Sequence, residues 1–210
     1  KIPSNEKKIK KCKKKVHYFK NCIEPKKILP KNNWFKNFEK IWSPDEEKAF
    51  KELQNFIKTR VSNYSEGRNF PNIIGTSKLS PYIKFGQIHV ETIWNECRKK
   101  KPITIGISKF LTEIGWREFN HSLINHFPHM LKNNYAKKFD RFPWKKNSKL
   151  LEAWKKGLTG YPIVDAGMRE LYSTGWMHNR VRMIVGSFLV KHLLIDWKEG
   201  EKYFRNCLLD

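Results

Sequence analysis

Thr159-Gly160-Tyr161-Pro162-Ile163-Val164-Asp165-Ala166-Gly167-Met168-Arg169-Glu170-Leu171, followed by Thr174-Gly175-Trp176-Met177-His178-Asn179-Arg180-Val181-Arg182-Met183, is the stretch on which the fold turns. Pro162 suits the first turn of a helix, where its missing N–H is no loss and its φ is preset. Gly175 can take the left-handed conformation that closes one. The pattern therefore predicts a helix from Pro162 to near Gly175 and a second, longer one from about His178 to Leu194.

Working outward, the same punctuation continues. A further helix is expected from about Glu199, and the chain stops at Asp210 in or just after a helical pattern. Upstream, Ser148 is expected to cap a helix that stops at Gly157, and a long amphipathic helix is expected from about Ser108 to Phe127. Before it come a loop through Gly67, Pro71 and Gly75 and short helical segments to about Lys101. Ser43-Pro44-Asp45-Glu46 has the form of a capping box, after which Ala49, Phe50, Leu53, Phe56 and Ile57 recur on one face. β-Branched residues are isolated and period-2 alternation never lasts, so the fold class is all-α. Residues 1–33 carry Pro3, Pro25 and Pro30 and no periodicity. The expected organisation is a Lys-rich linker or strap over 1–41 and a helical domain over 42–210.

The 210 residues are enough for one domain with a real core. Forty-three Lys+Arg against 20 Asp+Glu give +23, and 14% aromatic residues with 8 Trp exclude a merely solvated basic tail. A polyanion, nucleic acid first, is the expected partner. The first 40 residues hold +11 of the surplus and the other 170 hold +12. Lys outnumbers Arg 34 to 9, which an AT-rich genome would also produce. The most apolar stretch, Met183–Ile195, is interrupted by Ser187, Lys191 and His192 and is shorter than the ~20 residues a bilayer span needs. Cys12, Cys22, Cys97 and Cys207 form no dense framework, which suits a reducing cytoplasm without disulfides. Cys12, His17 and Cys22 have the spacing of part of a zinc knuckle without a fourth ligand, so no metal is expected. No signal peptide starts the chain, and Lys1 in place of Met suggests a fragment.

Three constellations have residue types that can do chemistry. On a helix, Glu113, Trp116 and Arg117 share one face, joining a carboxylate, a stacking surface and a fork of donors. That set can hold a base and a phosphate, or it can be an ion pair beside a core Trp. Asn179, Arg182 and Met183 share another face, with Arg180 on a neighbouring one. Gly186 beyond them would let a flat ligand approach the backbone, and a buried Arg182 would need a carboxylate. The bland reading there is a core Met and solvated arginines. Gly75-Thr76-Ser77-Lys78-Leu79-Ser80-Pro81 offers backbone N–H groups, hydroxyls and an ammonium to a phosphate, or is a plain helix cap. It lacks the order of a Walker A loop or a dinucleotide fingerprint. His121, His126 and His129 form no metal motif, and Trp144, Trp154 and Trp197 read by default as packing residues.

The string that opens this reading closely resembles the photolyase and cryptochrome family, specifically class I cyclobutane pyrimidine dimer photolyases, and the match runs from about Trp42 to Asp210. The resemblance implies a helical FAD-binding domain, incomplete at its C-terminus, and light-driven repair in which reduced FAD passes an electron to a pyrimidine dimer in DNA. It implies that Thr76, Ser77, Lys78, Leu79 and Ser80 hold the flavin phosphates. Tyr64 and Phe110 would reach the same cofactor, and Arg182 would pair with Asp210 beside the flavin ring. Glu113, Trp116, Arg117 and Asn120 would form one side of the lesion pocket, and Asn179, Arg180 and Met183 the other. Trp144 and Trp197 match the outer and middle members of a photoreducing tryptophan chain. The protein would act as a monomer, with an antenna chromophore only in a full-length parent.

Lys78 stands where Arg is usual, Phe110 where Trp is common and Asn120 where Tyr is common. The family's Asn-rich, Trp-containing C-terminal segment and its antenna domain are not in this sequence. Two other readings remain open: a cryptochrome-type light-signalling flavoprotein and a basic DNA-binding module without flavin. Plant-type cryptochromes tend to carry Asp at position 179 and no Met at 183, which favours repair.

Overall fold

The computed structural model describes residues 34–210. Most of the Lys-rich strap, including Cys12, His17 and Cys22, lies outside the described residues. Among those described, every regular element is helical. The longer helices are α1 (Glu46–Thr59), α2 (Val90–Lys99), α3 (Ile105–His126), α4 (Ser148–Lys156), α5 (Pro162–Thr174), α6 (Asn179–Ser187) and α7 (Trp197–Cys207). The compact unit is Trp34–Asp210, so it takes in residues 34–41. Trp34 stacks on Tyr172 at 5.3 Å, and the Trp42 indole N–H donates to the Thr174 carbonyl at 2.6 Å.

Local chemistry explains where the helices start. α1 is capped by Asp45, whose carboxylate accepts from the Glu47 N–H at 2.9 Å, and not by Ser43. A carboxylate one residue before the first turn is both acceptor and counter-charge to the helix dipole, which the Ser43 hydroxyl cannot match. α4, by contrast, is capped one residue earlier than expected, by Asn147 accepting from Leu150 at 3.0 Å. α3 starts at Ile105, three residues before Ser108, because Thr104 accepts from the Ile107 N–H at 3.2 Å. α5 runs from Pro162 and closes on Gly175 at φ +68°, where a Cβ would lie 2.7 Å from the Phe38 ring. α6 does not continue evenly to Leu194; at Ser187 it widens into a π-helical turn over Phe188–His192.

Two apolar clusters hold the domain. The first joins α1 through Ala49, Leu53, Phe56 and Ile57 to Ile107, Phe110, Leu111 and Ile114 of α3, with Tyr64, Leu79 and Tyr82 between. The second packs Trp154 of α4 against Val164, Met168 and Leu171 of α5, Val181 and Val185 of α6, and Cys207 of α7. Asp165, inside the string that identifies the fold, is structural. Its carboxylate accepts from the Thr159 N–H at 2.8 Å and the Gly160 N–H at 2.9 Å, tying the preceding turn to α5. Burial raises its pKa, but these bonds and the nearby Arg169 outweigh that and hold it below the usual carboxylate range.

Cys97 and Cys207 are buried free thiols. No described helix is long and apolar enough to cross a membrane, and no described His, Cys, Asp or Glu side chains gather into a metal-ligand set.

Candidate functional site

A close backbone crossing builds the site. A Cβ on Gly75 would sit 2.2 Å from the Gly67 carbonyl oxygen, so only glycine lets the loop pass there. Beyond the crossing, Lys78 adopts φ +52° and Ser80 begins the short helix Ser80–Lys84. The turn brings Thr76, Ser77, Lys78, Leu79 and Ser80 into the wall of a cavity of about 270 Å³. Tyr64, Phe110, Glu113 and Arg117 form another wall, and Asn179, Arg182 and Asp210 line it too. Residues from both apolar clusters thus face one space: Tyr64 and Phe110 from the first, Met177 from the second.

One end of this cavity is rich in cations and hydroxyls. The Lys78 ammonium lies 4.8 Å from the centre of the Trp176 ring, and among the described residues it makes no ion pair. Arg182 donates from Nη2 to both carboxylate oxygens of Asp210 at 2.8 Å, and its Nε donates to the Met177 carbonyl at 2.8 Å. The Ser80 hydroxyl also donates to Asp210, and Lys84 reaches that residue's backbone carbonyl at 3.2 Å. His178, only 3% exposed, has its pKa lowered by burial and by Arg180, Arg68, Arg182 and Lys78, so it adds no charge of its own at neutral pH. The other end is aromatic. Tyr64 meets Phe110 edge-on with ring centres 5.1 Å apart, and burial pushes its phenol up to about 12.

Glu113 sits where the cavity meets an open groove of about 310 Å³ that Trp116, Arg117 and Asn120 share with it. Its carboxylate is held by Arg68 and, at 3.2 Å, by the Lys109 ammonium. Burial raises the Glu113 pKa, yet the bonds from these two cations prevail and leave it below the usual value. Trp116 is 53% exposed and meets Phe119 edge-on at 5.6 Å. Arg117 pairs with Glu118, not with Glu113.

The remaining expected residues lie apart. Arg180 sends Nε and Nη2 to the Asn69 amide oxygen at 3.1 and 2.6 Å, and Nη1 lies 3.7 Å from the sulfur of the exposed Met183. Trp144 packs against Phe142 with ring centres 4.3 Å apart and planes tilted by 45°. Trp197 lines a second cavity of about 430 Å³, which Gly186 and Asp210 also line. Sequence reasoning missed Arg68, Lys109, Trp176 and Met177 as site residues. Lys109 was within reach, four residues before Glu113 on one helix; Arg68 meets Glu113 from 45 residues away, and no local spacing announces it.

Comparison with known proteins gives a consistent answer. Residues 110–210 match the model of the FAD binding domain of DNA photolyase. The deoxyribodipyrimidine photo-lyase of Agrobacterium fabrum is 48% identical over 187 residues, covering 88% of this chain and 39% of the relative. Among solved structures, a bacterial class III photolyase from Agrobacterium tumefaciens superposes with a TM-score of 0.84 at 48% identity, covering 88% of this chain and 39% of that one. The cryptochrome of Synechocystis sp. PCC6803 superposes with a TM-score of 0.79 at 32% identity, over 89% of this chain and 40% of its own. The chain therefore spans about two fifths of the length of these relatives.

Proposed function

We propose that this chain, which carries the helical FAD-binding domain of the photolyase and cryptochrome family, serves light-driven repair of cyclobutane pyrimidine dimers in DNA. The observation that carries the reading is the single cavity joining Lys78, the hydroxyls of Thr76, Ser77 and Ser80, and the aromatic wall of Tyr64 and Phe110, with Glu113 at its edge. Cations and hydroxyls at one end and flat apolar rings at the other fit a flavin dinucleotide. Lys78 and the hydroxyls would hold its phosphates, and the Arg182–Asp210 pair would fix the ring's polar edge. When bound and reduced, FAD supplies blue-light absorption and one transferable electron.

The chain's own groups would do the rest. A dimer flipped out of the duplex would stack on the exposed face of Trp116. Arg117 and Arg180 would take flanking phosphates, and Asn120, Asn179 and Met183 would complete the pocket. Glu113 is held ionised by Arg68 and Lys109, so in the free chain it can only accept, and it would take a hydrogen bond from a base N–H. Trp144 and Trp197 would carry electrons inward from the surface. The surplus of +23 would bind phosphates without reading sequence. In the cell the chain would work in the cytoplasm, as a monomer.

The test uses the chain extended by the C-terminal segment that the family resemblance implies, with FAD, dithionite and an oligonucleotide containing one thymine dimer. Illumination is expected to restore intact thymines, with none restored in the dark. Stoichiometric FAD binding with no repair under light would overturn the repair reading and leave a signalling flavoprotein; no FAD binding would remove both.

A further inference from the structure

Trp197 is tied to a two-step hydrogen-bond relay outside the flavin cavity. Its indole N–H donates to the Asn134 amide oxygen at 2.8 Å, across 63 residues of sequence. The Asn134 NH₂ in turn donates to a carboxylate oxygen of Asp140 at 2.8 Å. Each partner permits one direction only. An indole N–H has no lone pair to offer and a carboxylate has no proton to give, so the amide must point its oxygen at Trp197 and its nitrogen at Asp140. Asp140 thus selects one of the two amide orientations, and its charge, at the far end of the amide, makes the oxygen facing Trp197 more negative. The Lys198 ammonium, 5.9 Å from the ring centre, opposes positive charge on the indole, so the relay is the stabilising contact within hydrogen-bond reach.

We propose that Asn134, aimed by Asp140, is a positioning residue that keeps the proton on the Trp197 indole when that ring loses one electron. The inference rests on the reading of Trp197 as an electron carrier. In the step, Trp197 would give one electron to a photoexcited oxidised flavin, or to another strong one-electron oxidant, which is reduced by that electron while Trp197 becomes a cation radical. No bond is broken. The N–H, now strongly acidic, stays bonded because an amide oxygen is too weak a base to take the proton. The hole is then refilled by one electron from an outer donor, for which Trp144 is the candidate. A carboxylate in place of the amide would take the proton, strand a neutral radical on Trp197 and stop the refilling.

Both tests run on the flavin-free chain. In a ¹H–¹⁵N spectrum, the indole peak that vanishes in Trp197→Phe should exchange with solvent roughly tenfold faster in Asn134→Ala, the effect of losing one net hydrogen bond. Asp140→Ala should move it the same way by less. After flash oxidation by a soluble one-electron oxidant, the signal lost in Trp197→Phe should be that of the cation radical in the parent chain and of the neutral radical in Asn134→Asp. The same radical with the same lifetime in both, or an indole exchange rate unmoved by Asn134→Ala, would overturn the proposal. The reading of Trp197 fails separately: flavin photoreduction undiminished in Trp197→Phe removes the electron carrier whatever the relay does.

Discussion

The two halves of α3 belong to one unbroken helix of 22 residues, yet they have opposite surroundings. From Ile105 to Ile114 the helix buries Ile107, Phe110, Leu111 and Ile114 against α1 and the loop before Ser80. From Gly115 to His126 it buries no residue, although Trp116, Phe119 and Ile124 are all large and apolar. A helix that keeps its shape while exposing an aromatic stripe has that shape paid for by its other half. The first half is scaffold and the second is available to a ligand, and Glu113 stands at the border, lining both spaces.

The largest effect expected from this contrast is on stability, at Ile107. It is fully buried and does not line the cavity, so Ile107→Ala should destabilise the domain by ~2–5 kcal/mol through lost burial and the void left behind. Urea unfolding of the two chains measures it, and a loss below ~1 kcal/mol would mean that the first half of α3 is not the scaffold. Trp116→Ala, nine residues on, should do the reverse. Stability should stay within ~0.5 kcal/mol, as for other exposed positions. Affinity for dimer-containing DNA should fall by ~1–3 kcal/mol, the worth of a base–aromatic stack. Titration of a fluorescent oligonucleotide at fixed salt checks this. A Trp116→Ala chain that unfolds easily and binds DNA normally would erase the distinction between the halves.

Much of the helical scaffold was legible in advance, because apolar spacing and caps are local signals. Pro162 and Gly175 bound α5 as expected, and Gly157 ends α4 in the left-handed conformation. The errors were also local. Ser43 and Ser148 looked like caps, but a neighbouring Asp45 and Asn147 offered better-placed acceptors. The start of α3 was hidden because Ile103, Ile105 and Ile107 alternate with Thr104 and Gly106, and a glycine in the first turn weakens the helical signal. The site was legible only in pieces. The phosphate loop and the face bearing Glu113 and Trp116 each stood out, but nothing in the spacing joined them. That Arg68 holds Glu113, or that Asn69 receives Arg180 from 111 residues away, depends on the meeting of distant elements.

The smallest effect concerns the border residue. Arg68 and Lys109 hold the Glu113 pKa below its ordinary value despite burial. A carboxyl whose folded pKa is depressed adds stability that is complete above the unfolded value, about 4.3, and is lost as pH falls through the folded value. The melting temperature of the parent chain should therefore exceed that of Glu113→Gln by a constant margin from pH 7 to about 5, and the margin should shrink as the pH falls below about 4.3. Water still reaches this ion pair, so the margin should correspond to no more than ~1 kcal/mol of stability. Arg68→Ala should remove most of the margin, because Lys109 alone is the more exposed and longer contact. A margin that widens on acidification would mean that Glu113 takes up a proton on folding. Burial would then outweigh the two cations, and the border between the halves of α3 would lie on the scaffold side of Glu113.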